Sequence, residues 1–207
     1  MKIKKLIDLC KKRGCFYLFE DERVQWLSDG VALYPLYNVP EFDEETLCRT
    51  FDITEKQQEK IVFKHEMRLP SQYCFDDFTD GEVMCAQSPV IINGGSHGLI
   101  ACKTSQGVMF LDRKYLVPLE DTAEGMLEIF ERTTKDGQIY FAAKSGFMLL
   151  AVIMPYDAIN ETFVKQLKTL CEQCEVALFN KQSREQEVEQ QSILGEGETS
   201  DGTEGGE

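Results

Sequence analysis

Gln138-Ile139-Tyr140-Phe141-Ala142-Ala143-Lys144-Ser145-Gly146-Phe147-Met148-Leu149-Leu150-Ala151-Val152-Ile153-Met154-Pro155 is the stretch on which the fold turns. Gln138–Ala142 and Phe147–Met154 read as two strands, and the Ser145-Gly146 pair between them supplies turn chemistry. The second strand is uncharged and apolar on both parities, so it must be central or covered, because exposed it would aggregate. Met126–Arg132 just upstream completes three consecutive strands, and Pro155 ends them.

A helix beginning near Asn160 follows, with Phe163, Leu167, Leu170, Cys171, Cys174 and Leu178 on one face. Its stripe is read as covering the sheet within the same chain or forming a seam with a partner. From Gln182 the apolar residues thin out, and from Gly195 only Gly, Glu, Thr, Ser and Asp occur. Such a segment cannot bury enough surface to repay its ordering entropy and is expected to be a disordered acidic tail, 182–207.

Upstream, residues 1–13 form an amphipathic helix with Ile3, Leu6, Ile7 and Cys10 on one stripe and Gly14 as its stop. Strand-like runs at 15–19, 23–27 and 31–37 make a meander. Asp43 can cap a short helix through Phe51, and Thr54 with Gln57 resembles a capping box. Residues 61–69 suit a strand, whereas 70–89 are irregular and acidic, in keeping with a surface loop or short insertion. Short strands return at 90–92, 99–103 and 108–111. The expected fold is α+β: antiparallel sheets with an N-terminal and a C-terminal amphipathic helix, in a single domain spanning 1–181. Trp26–Leu33 resembles Ala143–Leu149, two strand pairs joined through Ser and Gly; either hairpins look alike or the chain holds a duplication.

The formal charge of −14 is uneven. From Gln182 onward Arg184 stands alone against eight acids, a net of −7, which leaves about −7 for the body. That balance argues against general adhesion to nucleic acid or membrane while permitting a local basic surface. The longest apolar run is far shorter than the ~20 residues that span a bilayer. Eight cysteines scattered through apolar segments suit reduced thiols and a cytoplasmic location.

No reaction is written into the residues. Cys171 and Cys174 lie well inside a helix on its apolar stripe, where core packing is a better reading than a metal or redox pair. Asn93-Gly94-Gly95-Ser96-His97-Gly98 could cradle an anion, but it lacks a P-loop ending and reads as a hairpin turn. Asp76–Glu82 imitates a calcium loop with Phe78 at a ligand position, and reads as a solvated turn. With His65 and His97 the only histidines, and no Asp or Ser spaced to support either, a histidine-based centre has few options. No catalytic residue, cofactor or metal is expected.

The segment Val108-Met109-Phe110-Leu111, Arg113-Lys114-Tyr115-Leu116, three strands and Val152-Ile153-Met154-Pro155 resembles the final unit of a DNA sliding-clamp domain. The first 37 residues are similar in order, a basic helix followed by three strands. Pro118 departs from the pattern by breaking the helix expected after Tyr115, and residues 40–100 have no counterpart. The chain also resembles proteins carried by bacterial prophages. The resemblance implies a clamp-like fold and a non-enzymatic accessory protein of a DNA-handling assembly. Lys2, Lys4, Lys5, Lys11, Lys12 and Arg13 are then the candidate surface for duplex DNA or a protein partner, and one clamp-like domain would have to self-associate to encircle DNA. The alternatives are an acidic interaction or inhibitor protein that engages a basic partner, and a small hydrolase or redox enzyme.

Overall fold

The computed structural model describes residues 1–195 except Arg23 and residues 122–126; side chains of the last helix are described as far as residue 186. The acidic stretch from 196 to 207 lies outside the described residues. The chain divides into two compact units, Met1–Asp157 and Ala158–Glu207.

In the first unit α1 (Ile3–Arg13) leads into the meander β1 (Cys15–Phe19), β2 (Trp26–Ser28) and β3 (Ala32–Pro35). Two short helices follow, α2 (Glu44–Thr50) and α3 (Glu55–Gln58). Asp43 accepts from the Thr46 backbone N–H at 2.8 Å, and Gln57 Oε1 accepts from the Thr54 N–H at 3.0 Å, so both caps expected from the sequence form. Next come β4 (Val62–Glu66), β5 (Val83–Met84), β6 (Ala86–Gly94), β7 (His97–Thr104) and β8 (Gly107–Asp112). Two single 3₁₀ turns, Arg113–Tyr115 and Val117–Leu119, stand where Pro118 excludes a longer helix. A second meander, β9 (Leu127–Thr133), β10 (Ile139–Ser145) and β11 (Met148–Ile153), closes the unit.

The fold is α+β. Eight strands form one sheet in the order β4-β1-β2-β3-β11-β10-β9-β5, and β6-β7-β8 form a second. The large sheet is mixed, because β4 runs parallel to β1 (Cys15↔Val62 through Phe19↔Glu66) while its other pairs are antiparallel. Its centre is the antiparallel join of β3 to β11 (Leu33↔Val152), which sets the two meanders head to head. Strand β11 is therefore central, with Leu149 to Ile153 all buried. Burying each of its Leu, Val and Ile side chains contributes about 1.5–3 kcal/mol. Phe147 departs from the strand reading: it sits at the tip of the β10–β11 turn and is 92% exposed.

Each face of the large sheet has its own core. One face (Phe16, Leu18, Tyr34, Phe141, Ala143, Leu150, Ile153) packs with Leu6, Ile7 and Cys10 of α1, Leu47 of α2, and Ile100, Cys102 and Leu111 of the small sheet. The opposite face (Phe19, Trp26, Leu33, Tyr140, Ala142, Leu149, Val152) packs with Leu69, Tyr73 and Phe75. The segment 70–89 is irregular as far as residue 82 and largely exposed, but Tyr73, Phe75 and Cys85 turn inward. Part of that segment is the inner lining of a core, and it contains β5 and the start of β6. Asp76, Asp77 and Asp80 are exposed, as a solvated turn requires, whereas Glu82 is not. Asp77 Oδ1 accepts from the Leu149 N–H at 2.8 Å, and the Glu82 side chain is 6% exposed.

An ion network pins this segment. Arg132 on β9 donates through Nη2 and Nε to Glu82 Oε2 at 2.6 and 2.9 Å, and through Nη1 to the carbonyls of Cys74 and Asp76. Lys144 on β10 donates to Glu82 Oε1 at 2.6 Å. Burial alone would push the Glu82 carboxyl up. The hydrogen bonds from Lys144 and Arg132 outweigh it and hold the carboxyl below its usual range.

The second unit is the helix α4 (Glu161–Gly195), opened by Asn160 Oδ1 accepting from the Phe163 N–H at 3.0 Å. It continues past Gln182, where composition places the start of the tail. Cys171 and Cys174 are exposed on it, which corrects the reading of this pair as core. The apolar period there marks a face to be covered; on it Val164, Leu170 and Leu178 are each more than half exposed, while Phe163 and Leu167 are intermediate. No described helix is long and apolar enough to cross a membrane.

Candidate functional site

The amphipathic period of α1 buries Leu6, Ile7 and Cys10 and turns Lys4, Lys5, Lys12 and Arg13 outward. Three cations in its last turn, Lys11, Lys12 and Arg13, suit the partial negative charge at a helix C-terminus. Gly14 ends the helix in the left-handed conformation at φ 75°, its N–H returning to the Cys10 carbonyl at 2.8 Å. The six basic residues do not share one role. Lys2 pairs with Glu120 and Asp121 at 3.3 and 3.0 Å, and Lys11 donates to the Phe51 carbonyl at 2.9 Å. Lys4, Lys5, Lys12 and Arg13 remain turned to the outside.

Lys12 and Arg13 meet residues from three other segments around a cavity of about 260 Å³, lined by Leu9, Lys12, Arg13, Asp29, Ser96, Lys114 and Tyr115. The turn between β6 and β7 brings Ser96, the 3₁₀ turn after β8 brings Lys114 and Tyr115, and the β2–β3 turn brings Asp29. Three cationic residues and one carboxylate thus line the same cavity. Asp29 is itself committed to the fold: its Oδ1 accepts from the N–H groups of Val31 and Ala32 at 2.9 and 3.0 Å. Burial first, then the Asp29 carboxylate, push the Tyr115 phenol far above its ordinary range. Tyr115 accordingly keeps its proton and remains a neutral O–H donor.

Lys114 also belongs to a polar cluster beneath the cavity. The Asp112 side chain is fully buried, and its Oδ2 lies 2.5 Å from His97 Nδ1 and 2.9 Å from Lys114 Nζ. Burial would raise the Asp112 carboxyl, but the hydrogen bonds from His97 and Lys114 prevail and hold it low. An ionised carboxylate only accepts, so His97 Nδ1 is the donor. The imidazole lies against the Tyr156 ring, tilted by 39° with centroids 4.8 Å apart. This corrects the expectation that no aspartate supports a histidine. The signal was present in the β7–β8 hairpin: the Thr104↔Gly107 turn sets a register in which Leu99 faces Asp112, two residues from His97. An Asp-held imidazole is the arrangement of a general base, but no described hydrogen bond joins His97 to Ser96. Among the described residues no cluster of His, Cys, Asp and Glu could hold a metal ion.

His65, on edge strand β4, forms a separate exposed pair with Glu20 at 2.8 Å. A larger cavity of about 610 Å³ has the opposite character, with Asp21, Glu22, Asp76 and Asp77 around Trp26, Tyr73 and Phe75. No protein-family model matches this chain, and no curated protein or solved structure is similar to it.

Proposed function

We propose that this chain is a non-enzymatic binding module of a DNA-handling assembly, seating a backbone phosphate of duplex DNA in the cavity of Lys12, Arg13 and Lys114. The observation that carries this reading is that those three cationic residues, from two separate elements, line one cavity together with Ser96, Lys114 being paired with Asp112 as well. Phosphate contacts of this type position a protein on a duplex without reading its sequence. Lys4 and Lys5, exposed along the same helix, extend the contact to neighbouring phosphates. The net charge of −14 makes the attraction local, so binding is confined to this face and is weakened steeply by salt. The sliding-clamp resemblance of the sequence supplies the architectural frame of this reading. The test is duplex binding at low salt by the full chain and by a Lys12→Glu/Arg13→Glu variant. Binding by the parent that the variant loses supports the reading, and no binding by the parent removes it.

A second reading, an acidic protein engaging a basic partner, is favoured by the carboxylate-rimmed cavity around Trp26. Trp26 is the chain's one tryptophan, so its emission reports that cavity directly. Titration with an arginine-rich peptide should quench or shift the emission if this reading holds, and leave it unchanged otherwise.

A further inference from the structure

From α4 we infer a second binding surface: its apolar stripe is the seam of an antiparallel pairing with α4 of a second copy of this chain. Phe163, Leu167, Leu170, Cys174 and Ala177 recur at alternating spacings of four and three, the period of a two-helix seam, with Val164, Cys171 and Leu178 widening it on one side. Val164, Leu170 and Leu178 are 54%, 55% and 56% exposed, and both cysteines are exposed. Phe163 and Leu167 are partly exposed, and large apolar side chains left this accessible along a helix mark an association surface.

Charge selects the occupant and its direction. Lys168 and Glu175 stand one heptad apart on the widened side of the stripe, three residues before Cys171 and Leu178 respectively. The opposite flank carries Gln166, Gln173 and Asn180, all uncharged. In an antiparallel pair like flanks meet, so Lys168 of each copy faces Glu175 of the other, twice over by the two-fold symmetry. In a parallel pair each charged flank would meet the neutral one and no such match would form. The two-fold axis implied by the Lys168–Glu175 match passes beside residue 171. It brings the two Cys171 thiols close together and sets the two Cys174 thiols apart along the helix by about 7 Å, at 1.5 Å of rise per residue. The stripe ends at Lys181, which limits the seam to its first five turns.

The full chain should sediment as a concentration-dependent dimer. Leu170→Glu should raise the dissociation constant by more than about tenfold, as loss of a central apolar anchor does. Lys168→Glu should raise it about five- to tenfold by turning two attractions into repulsions, and adding Glu175→Lys should restore it. Under mild oxidation by diamide, the Cys174→Ser variant should cross-link through Cys171, whereas Cys171→Ser should lose the cross-link. A monomer at every concentration overturns the proposal, as does capture only of a different protein. A dimer indifferent to Lys168→Glu, or one that cross-links equally through Cys174, overturns the antiparallel arrangement.

Discussion

Glu82 carries two cations at once, since Arg132 and Lys144 each place a nitrogen 2.6 Å from one of its oxygens with almost no exposure. The three residues are therefore unequal under substitution. Glu82→Gln leaves two buried cations facing each other and should destabilise the first unit by about 3–5 kcal/mol in urea unfolding. Lys144→Met keeps the Arg132–Glu82 pair and most of the side-chain volume, so its cost should be nearer ~1–2 kcal/mol. Equal costs would mean that the network does not act as drawn. Acid tests the same residues together with Asp112. Glu82 and Asp112 both have folded-state carboxyls held below their ordinary range. Such groups contribute stability that is fully present above their unfolded pKa, about 4, and is lost as pH falls through the lower folded value. Unfolding free energy should accordingly decline from about pH 5 downward, and the decline should be shallower in Asp112→Asn. A profile unaffected by that substitution would detach Asp112 from the stability of the fold.

At the scale of elements, α1 depends on how it ends. The left-handed Gly14 allows the chain to turn into β1, and a Cβ there would lie 3.3 Å from the Lys60 carbonyl oxygen. The Gly14 carbonyl also accepts from the Val62 N–H at 2.9 Å, tying the helix end to β4. Gly14→Ala should therefore cost about 1–2 kcal/mol and, by moving Lys12 and Arg13, should weaken DNA binding as well. Unchanged melting and binding would show that this end is not under constraint. Elements of this kind were legible in the sequence because their signals are local: the stripe of α1, the Asp43 and Thr54 caps, and the apolar run of β11. The segment after Leu69 was not. Its aromatics, Tyr73 and Phe75, are interspersed with acids and lack any period, and only the pairing of the distant strands beneath them reveals an unfilled face. The α4 stripe shows the converse limit. Helical period marks which face needs a cover and carries no information on whether the cover comes from the same chain.

Over the whole molecule, charge and topology pull in different directions. The chain is acidic, yet its folding gathers Lys12, Arg13 and Lys114, the last of them paired with Asp112, around one cavity while spending Lys2 and Lys11 on internal contacts. Sequence reading found the basic helix but could not separate these two sets, because the division depends on partners more than 35 residues away. Nor could it join Lys114 to them. It resolved the two strands between His97 and Asp112 without following their register to the pair. The measurement that bears most directly on the central claim is the salt dependence of duplex binding by the full chain and by a Lys12→Glu/Arg13→Glu/Lys114→Glu variant of matched melting temperature. The phosphate in the cavity and those at Lys4 and Lys5 predict a slope of log K against log salt of roughly −3 for the parent, with binding abolished in the variant. Binding of equal strength and slope by both proteins, or none by either at low salt, would contradict it.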